Sequence, residues 1–150
     1  MNRYFLLFFL MFVSLNLCAQ VSKLNSIIDK YSGMKGVESV EISPSLLHQL
    51  SGGKTTDSLI RNISFLKILT VDIKVSSAIK LEINDALKVG FSKLMSVNSS
   101  GSMVDIYLAD NNKVLLSIIN DNKEYVLMYM SGSITKYVID SVLSGKIKIK

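Results

Sequence analysis

Cysteine occurs once in this chain, at position 18, and histidine once, at position 48. Together those scarcities close off much familiar chemistry. If Cys18 leaves with an N-terminal leader, what remains can form no disulfide, thiol nucleophile or Cys-ligated metal centre. A lone His48 without cysteine excludes the usual zinc sets as well. Arginine is reduced to Arg3 and Arg61, and the lysines are scattered, so no concentrated basic footprint marks a nucleic-acid partner. Removing Arg3 from the 17 basic residues leaves 16 against 12 acids, a mild +4. A membrane-spanning run is also missing. The apolar stretch from Tyr4 to Leu17 has 14 residues, where a bilayer needs roughly 20, and Lys, Asp or Asn interrupts each later one.

What is present begins with that stretch. Arg3 supplies a positive start, "YFLLFFLMFVSLNL" an apolar centre and Ala19 a small residue at a cleavage position, the three parts of a secretory signal. Cys18 follows Leu17, whereas bacterial lipid attachment asks for a small residue directly before the cysteine. Ordinary cleavage between Ala19 and Gln20 fits better, so residues 1–19 are expected to be removed and Cys18 with them. Residues 20–145 then form a single domain and 146–150 a basic tail. Membrane association would come only through lipidation of Cys18 or through that tail. With 49% hydrophobic residues, the chain can fill a core and reads as globular.

The periodicity divides the domain. Val21, Leu24, Ile27, Ile28 and Tyr31 recur at helical spacing, and "SGMKG" ends that helix. "VESVEIS" (37–43) reads as a strand with Val40 and Ile42 on one face. Pro44 stops it and opens a short helix, "PSLLHQL". "SGGKTTD" (51–57) reads as a loop and "ISFLKILTV" (63–71) as a strand. Val75, Ala78, Ile79, Ile83, Ala86 and Leu87 form the apolar stripe of the strongest helix, which Gly90 ends.

From Phe91 the period changes. "FSKLMSV", "MVDIYLA", "KVLLSII" and "EYVLMYM" are strand-length runs separated by "NSSGS", "DNN" and "NDN", compositions of hairpin loops. They predict a four-stranded antiparallel meander. "SITKYVIDSVLSG" closes the domain as a helix with Ile134, Tyr137, Val138, Val142 and Ile139 inward. The expected class is α+β, an antiparallel sheet packed against helices in two layers. "MVDIYLA" alternates, placing Val104, Ile106 and Leu108 on one side and Asp105 and Tyr107 on a wetter one.

No motif carries catalysis. His48 could act as a general base, but no nucleophile elbow or S-x-x-K accompanies it. "DNN" (110–112) and "NDN" (120–122) are oxygen-rich, yet a strand separates them by about 20 Å at ~3.3 Å per residue. Each offers one carboxylate, so turn chemistry is the better reading and no metal is expected. Glu38 and Glu41, three apart on a strand, point to opposite faces. Glu82 and Asp85 beside Lys88 read as a solvated helix side. "SGGKTT" lacks the spacing of a phosphate loop. No cofactor is implied.

"DKYSGMKGVESVEIS" (29–43), "LKILTVD" (66–72), "FSKLMSV" (91–97) and "VLMYMSGSI" (126–134), in this order behind an export signal, resemble the bacterial domain of unknown function family 4252. The resemblance spans roughly residues 24–143, and the "KIKIK" tail extends past it. It implies a short exported or lipid-anchored envelope protein of a Gram-negative bacterium. The family has no established activity, and the resemblance supplies no catalytic residues.

Function is therefore expected to lie in contact. "KVLLSII" and "EYVLMYM" are apolar on both faces. The side turned away from the helices would present Leu115 and Ile119, with either Tyr125, Leu127 and Tyr129 or Val126, Met128 and Met130. Tyr107, Leu115, Ile119, Tyr125, Leu127 and Tyr129 are the candidate interaction face, since Tyr gives large contact area with a half-polar surface. The expected partner is a protein, an apolar ligand or a second copy of the chain. The alternatives are a hydrolase using His48 and a regulatory protein of the envelope.

Overall fold

The computed structural model describes residues 21–50 and 61–143, without the side chains of Leu47, His48 and Leu50. The leader with Cys18, the 51–57 loop and the basic tail lie outside the described residues. The elements are helix α1 (residues 21–31), β1 (Val37–Ile42), α2 (Pro44–Leu50), β2 (Ile63–Asp72) and a 3-10 turn (Ile73–Val75) leading into α3 (Ser76–Ala86). Then come β3 (Phe91–Ser99), β4 (Ser102–Ala109), β5 (Val114–Asn120), β6 (Glu124–Gly132) and α4 (Lys136–Leu143). The six strands make one open antiparallel sheet in the order β1-β2-β6-β5-β4-β3.

Local chemistry explains the meander. Ser100 and Gly101, both at positive φ, make the two-residue turn between β3 and β4 that matches strand twist. Asp110, Asn111 and Asn112 all take left-handed conformations between β4 and β5, which Asn and Asp tolerate best. Asp121 turns β5 into β6: its Oδ1 accepts from the backbone N–H of Lys123 (2.7 Å) and Glu124 (2.8 Å). Those two bonds hold its carboxyl below the usual range.

Helices lie on both sides of the sheet. On one side, Leu24, Ile27, Ile28 and Tyr31 of α1 and Ile79, Ile83 and Ala86 of α3 pack on β2, β5 and β6. On the other, Val138 of α4 and the preceding Ile134 pack over Leu66, Leu115 and Met130. A two-layer arrangement thus describes the first side, and α4 adds partial cover to the second.

Two helical stripes are narrower than their sequence spacing suggests. Val75 and Ala78 are exposed, because α3 begins at Ser76, which takes the buried position and bonds the Ile73 carbonyl (2.8 Å). Tyr137 is also exposed, 45%, since Ile134, Val138 and Ser141 define the inward line of α4.

Glu82 and Asp85 do more than face water. Glu82 accepts from Lys30 Nζ (2.6 Å) and the Tyr31 hydroxyl (2.8 Å), and Asp85 from Lys23 (3.0 Å), so they fasten α3 to α1. These bonds hold both carboxyls below their ordinary values of 4.5 and 3.8. A depressed folded value means stability that is present at neutral pH and lost as pH falls through it. The thermal midpoint of the chain should therefore drop on acidification below about pH 4.5, the ordinary value for Glu82. A Glu82→Gln, Asp85→Asn variant should start lower and fall less over the same window. Equal acid slopes in thermal melts of the two proteins would count against this pairing.

Candidate interaction face

The registers assign every sheet side chain to a face. On the side under α1 and α3, Lys67, Leu69 and Val71 of β2 lie opposite Tyr129, Leu127 and Tyr125 of β6. Tyr107 of β4 pairs with Leu116 of β5 on the same side. On the other side, Met130, Met128 and Val126 of β6 lie opposite Leu115, Ser117 and Ile119 of β5.

The six candidate residues are therefore not brought together. Tyr107, Tyr125, Leu127 and Tyr129 share the helix-covered side, where the last three are buried at 4% exposure or less. Leu115 and Ile119 point the other way; Leu115 is fully buried near α4 and Ile119 is half-buried. Of the two sets open from sequence, the structure joins Val126, Met128 and Met130 to Leu115 and Ile119. Burial pushes the Tyr125 and Tyr129 phenols up, so both stay protonated and serve packing, not base chemistry. Lys80 from α3 sits 5.1 Å from the Tyr125 ring centre and donates to Asn120 Oδ1 (2.9 Å).

The wetter side expected for β4 is reversed in part. Asp105 is 7% exposed and shares its side with the α1/α3 core, while Val104 and Leu108 opposite are only half-buried. Asp105 is sheltered by Lys93 from β3, whose Nζ lies 3.3 Å from Oδ2 and 5.3 Å from the Tyr107 ring centre. Tyr107 first and Asp105 second hold the Lys93 ammonium above its ordinary value. Asp105 Oδ1 has no hydrogen-bond partner among the described residues.

The side away from α1 and α3 divides into rows that run across the strands. Ile42, Leu66, Met130 and Leu115 form the row near α4 and are buried. Two rows further along, Thr70, Val126, Ile119 and Val104 are each half-buried, and Val97 of β3 ends the row 41% exposed. In the row between, Val40 (43%) and Met95 (37%) are open at the two sheet edges. Between those edges Ser117 and Ile106 are buried, and Ile68, Met128 and Val104 pack against the cluster that holds Val138 of α4, so cover thins out only beyond this row. The result is a shallow, partly covered band of Val126, Ile119 and Val104 that opens toward Val97 and Met95 at the β3 edge.

Reactive groups do not converge elsewhere in the described part. No group of three or more His, Cys, Asp or Glu could hold a metal among the described residues. Glu38 and Glu41 lie on opposite faces: Glu38 is paired with Thr70, while Glu41 is opposite Lys67 and ion-pairs with it at 3.6 Å. His48 falls in the α2 backbone, its side chain outside the described residues. No described helix is long and apolar enough to cross a membrane.

An open six-stranded antiparallel sheet with helices on both faces defines an α+β domain. Residues 31–142 match the model of the family described as Domain of unknown function (DUF4252). The match covers more than half of the chain, and the chain belongs to that family. No curated protein matches it, and no solved structure does.

Proposed function

We propose that this chain is an exported, non-catalytic interaction module that holds a protein partner against the outer half of its open sheet face. One observation carries the reading: the half-buried apolar row Val126, Ile119 and Val104, which ends at exposed Val97 on β3 and in the other direction reaches Thr70 before the charged Glu38 at the β1 edge. Contiguous apolar surface of this kind marks interaction sites on soluble proteins. The shape favours a protein over a small apolar ligand. A small ligand is bound by burying most of its surface in a concave pocket, whereas a flat sheet face is covered by another surface. The signal-like residues 1–19 support export, and with it an envelope setting.

Site-specific photo-crosslinking tests the reading in cells. A photoreactive residue in place of Val126 or Val104 should give discrete crosslinked bands in the envelope fraction. The same residue at Ser77, exposed on α3 over the opposite side, should give none. Crosslinks equally strong from Ser77, or absent from all three positions, would remove the case for this face.

A further inference from the structure

The two edges of the sheet differ in a way that bears on assembly. An edge strand presents every second residue's N–H and C=O outward, ready to pair with another strand, and charged side chains are a common defence. β1 has that defence: Glu38 and Glu41 flank its centre, and a second copy laid along it would meet like charges. β3 has much less. Its nine residues are exposed except for half-buried Phe91, and its one charge, Lys93, stands beside a bulge at its start. From Leu94 through Val104 the chain carries no charged residue at all.

We propose that β3 is a homotypic docking edge, along which a second copy of this chain pairs its own β3 antiparallel about a two-fold axis at Ser96. Such an axis sets Met95 opposite Val97 of the second copy, and the reverse. Opposed residues of antiparallel strands point to the same face, so four apolar side chains meet on the open face. Small Ser96 meets itself on the other. The two Lys93 ammonium groups fall six residues apart, about 20 Å at ~3.4 Å per residue. That separation exceeds the ~8 Å Debye length at physiological salt, so their repulsion is largely screened. The pairing is isologous and closed, and removes the undefended edge from further association. It also joins the row that ends in Val97 of one copy to the row that ends in Met95 of the other. The proposal goes beyond the reading above, because it concerns the edge and its backbone groups and not what covers the face.

Sedimentation velocity on the purified full chain, over a wide concentration range, reads the result directly. A dimer mass is expected for the unaltered chain, with concentration-dependent amide protection in residues 91–99. Val97→Lys and Met95→Lys place ammonium groups at the two-fold axis and should weaken association at least about tenfold. Both side chains are exposed, so far-UV dichroism should stay unchanged, and the thermal midpoint should match that of the unaltered chain at dilutions where both are monomeric. Val40→Lys on the other edge should leave the dimer intact. A monomer at every concentration would overturn the proposal, as would a dimer that survives both β3 variants. A monomer that dimerises only after removal of residues 146–150 would do so too, by showing the edge taken by the chain's own C-terminus. Loss of crosslinks from Val126 with the dimer retained would strike the face reading alone.

Discussion

Gly132→Ala is expected to cost several kcal/mol, on the order of 3 or more, because two separate conditions at this position each require glycine. Its φ of +145° lies where side-chain-bearing residues are rarely found. A Cβ there would also overlap the carbonyl oxygen of Asn62 and lie 2.9 Å from the Ser64 backbone nitrogen. Both are main-chain atoms, which cannot swing aside as a flexible side chain can.

The position matters because separate segments are tied at this point. Gly132 N–H donates to the Lys113 carbonyl (2.9 Å), Ser133 N–H to Asn62 (2.7 Å) and Ile134 N–H to Asn112 (2.9 Å). The end of β6 is thereby joined to the start of β2 and to the β4–β5 turn, and a register shift between Ile63 and Phe65 fits β2 around it. Denaturant unfolding followed by dichroism should show the lost stability. The thermal midpoint should fall by about 10 °C, taking roughly 3 to 4 °C per kcal/mol for a chain of this size. Gly33→Ala supplies the control: nothing lies within 4 Å of its added Cβ, so a change within about 0.5 kcal/mol is expected. Similar results from the two variants would mean that the β2–β6 junction is not packed as described.

Much of this fold was legible from local chemistry. Both N-terminal strands, the long helix and all four strands of the meander lie where periodicity and turn residues place them. Asp110, Asn111, Asn112 and Gly101 take the left-handed conformations for which such residues are used. The pairing of β2 with β6 was not legible. It joins Leu69 to Leu127 across nearly sixty residues, and no local pattern encodes a partner that distant. The same distance hid the grip of Lys30 and Tyr31 on Glu82.

Face assignment failed for a different reason. A strand covered on both sides carries apolar residues at every position, so alternation, the usual sign of which side faces water, is erased. β6 reads Tyr125, Val126, Leu127, Met128, Tyr129, Met130 without a polar residue. The tyrosines suggested an exposed half-polar surface, yet they serve as long packing elements beneath α1 and α3. β4 misled in the opposite sense. Asp105 looked solvated because its partner, Lys93, comes from the neighbouring strand β3 and covers it.

The adjacent pair Leu127 and Met128 turns that lesson into a measurement. The two residues share one backbone, one strand and almost one position, and differ mainly in face. Leu127 is fully buried among the residues packed by α1 and α3, while Met128 is half-buried on the open side. Leu127→Ala should therefore cost about 3 kcal/mol or more, the sum of lost apolar burial and an unfilled cavity. Met128→Ala should cost less, about 1 to 2 kcal/mol in the isolated chain, since part of its side chain already meets solvent. Paired denaturant unfolding curves give both values from their midpoints at a common slope. A partner seated on the open face would add a second signature: Met128→Ala would then weaken binding more than folding, and Leu127→Ala the reverse. Equal costs in the isolated chain would mean that the outer half of the sheet is covered, leaving the proposed face no surface on which to act.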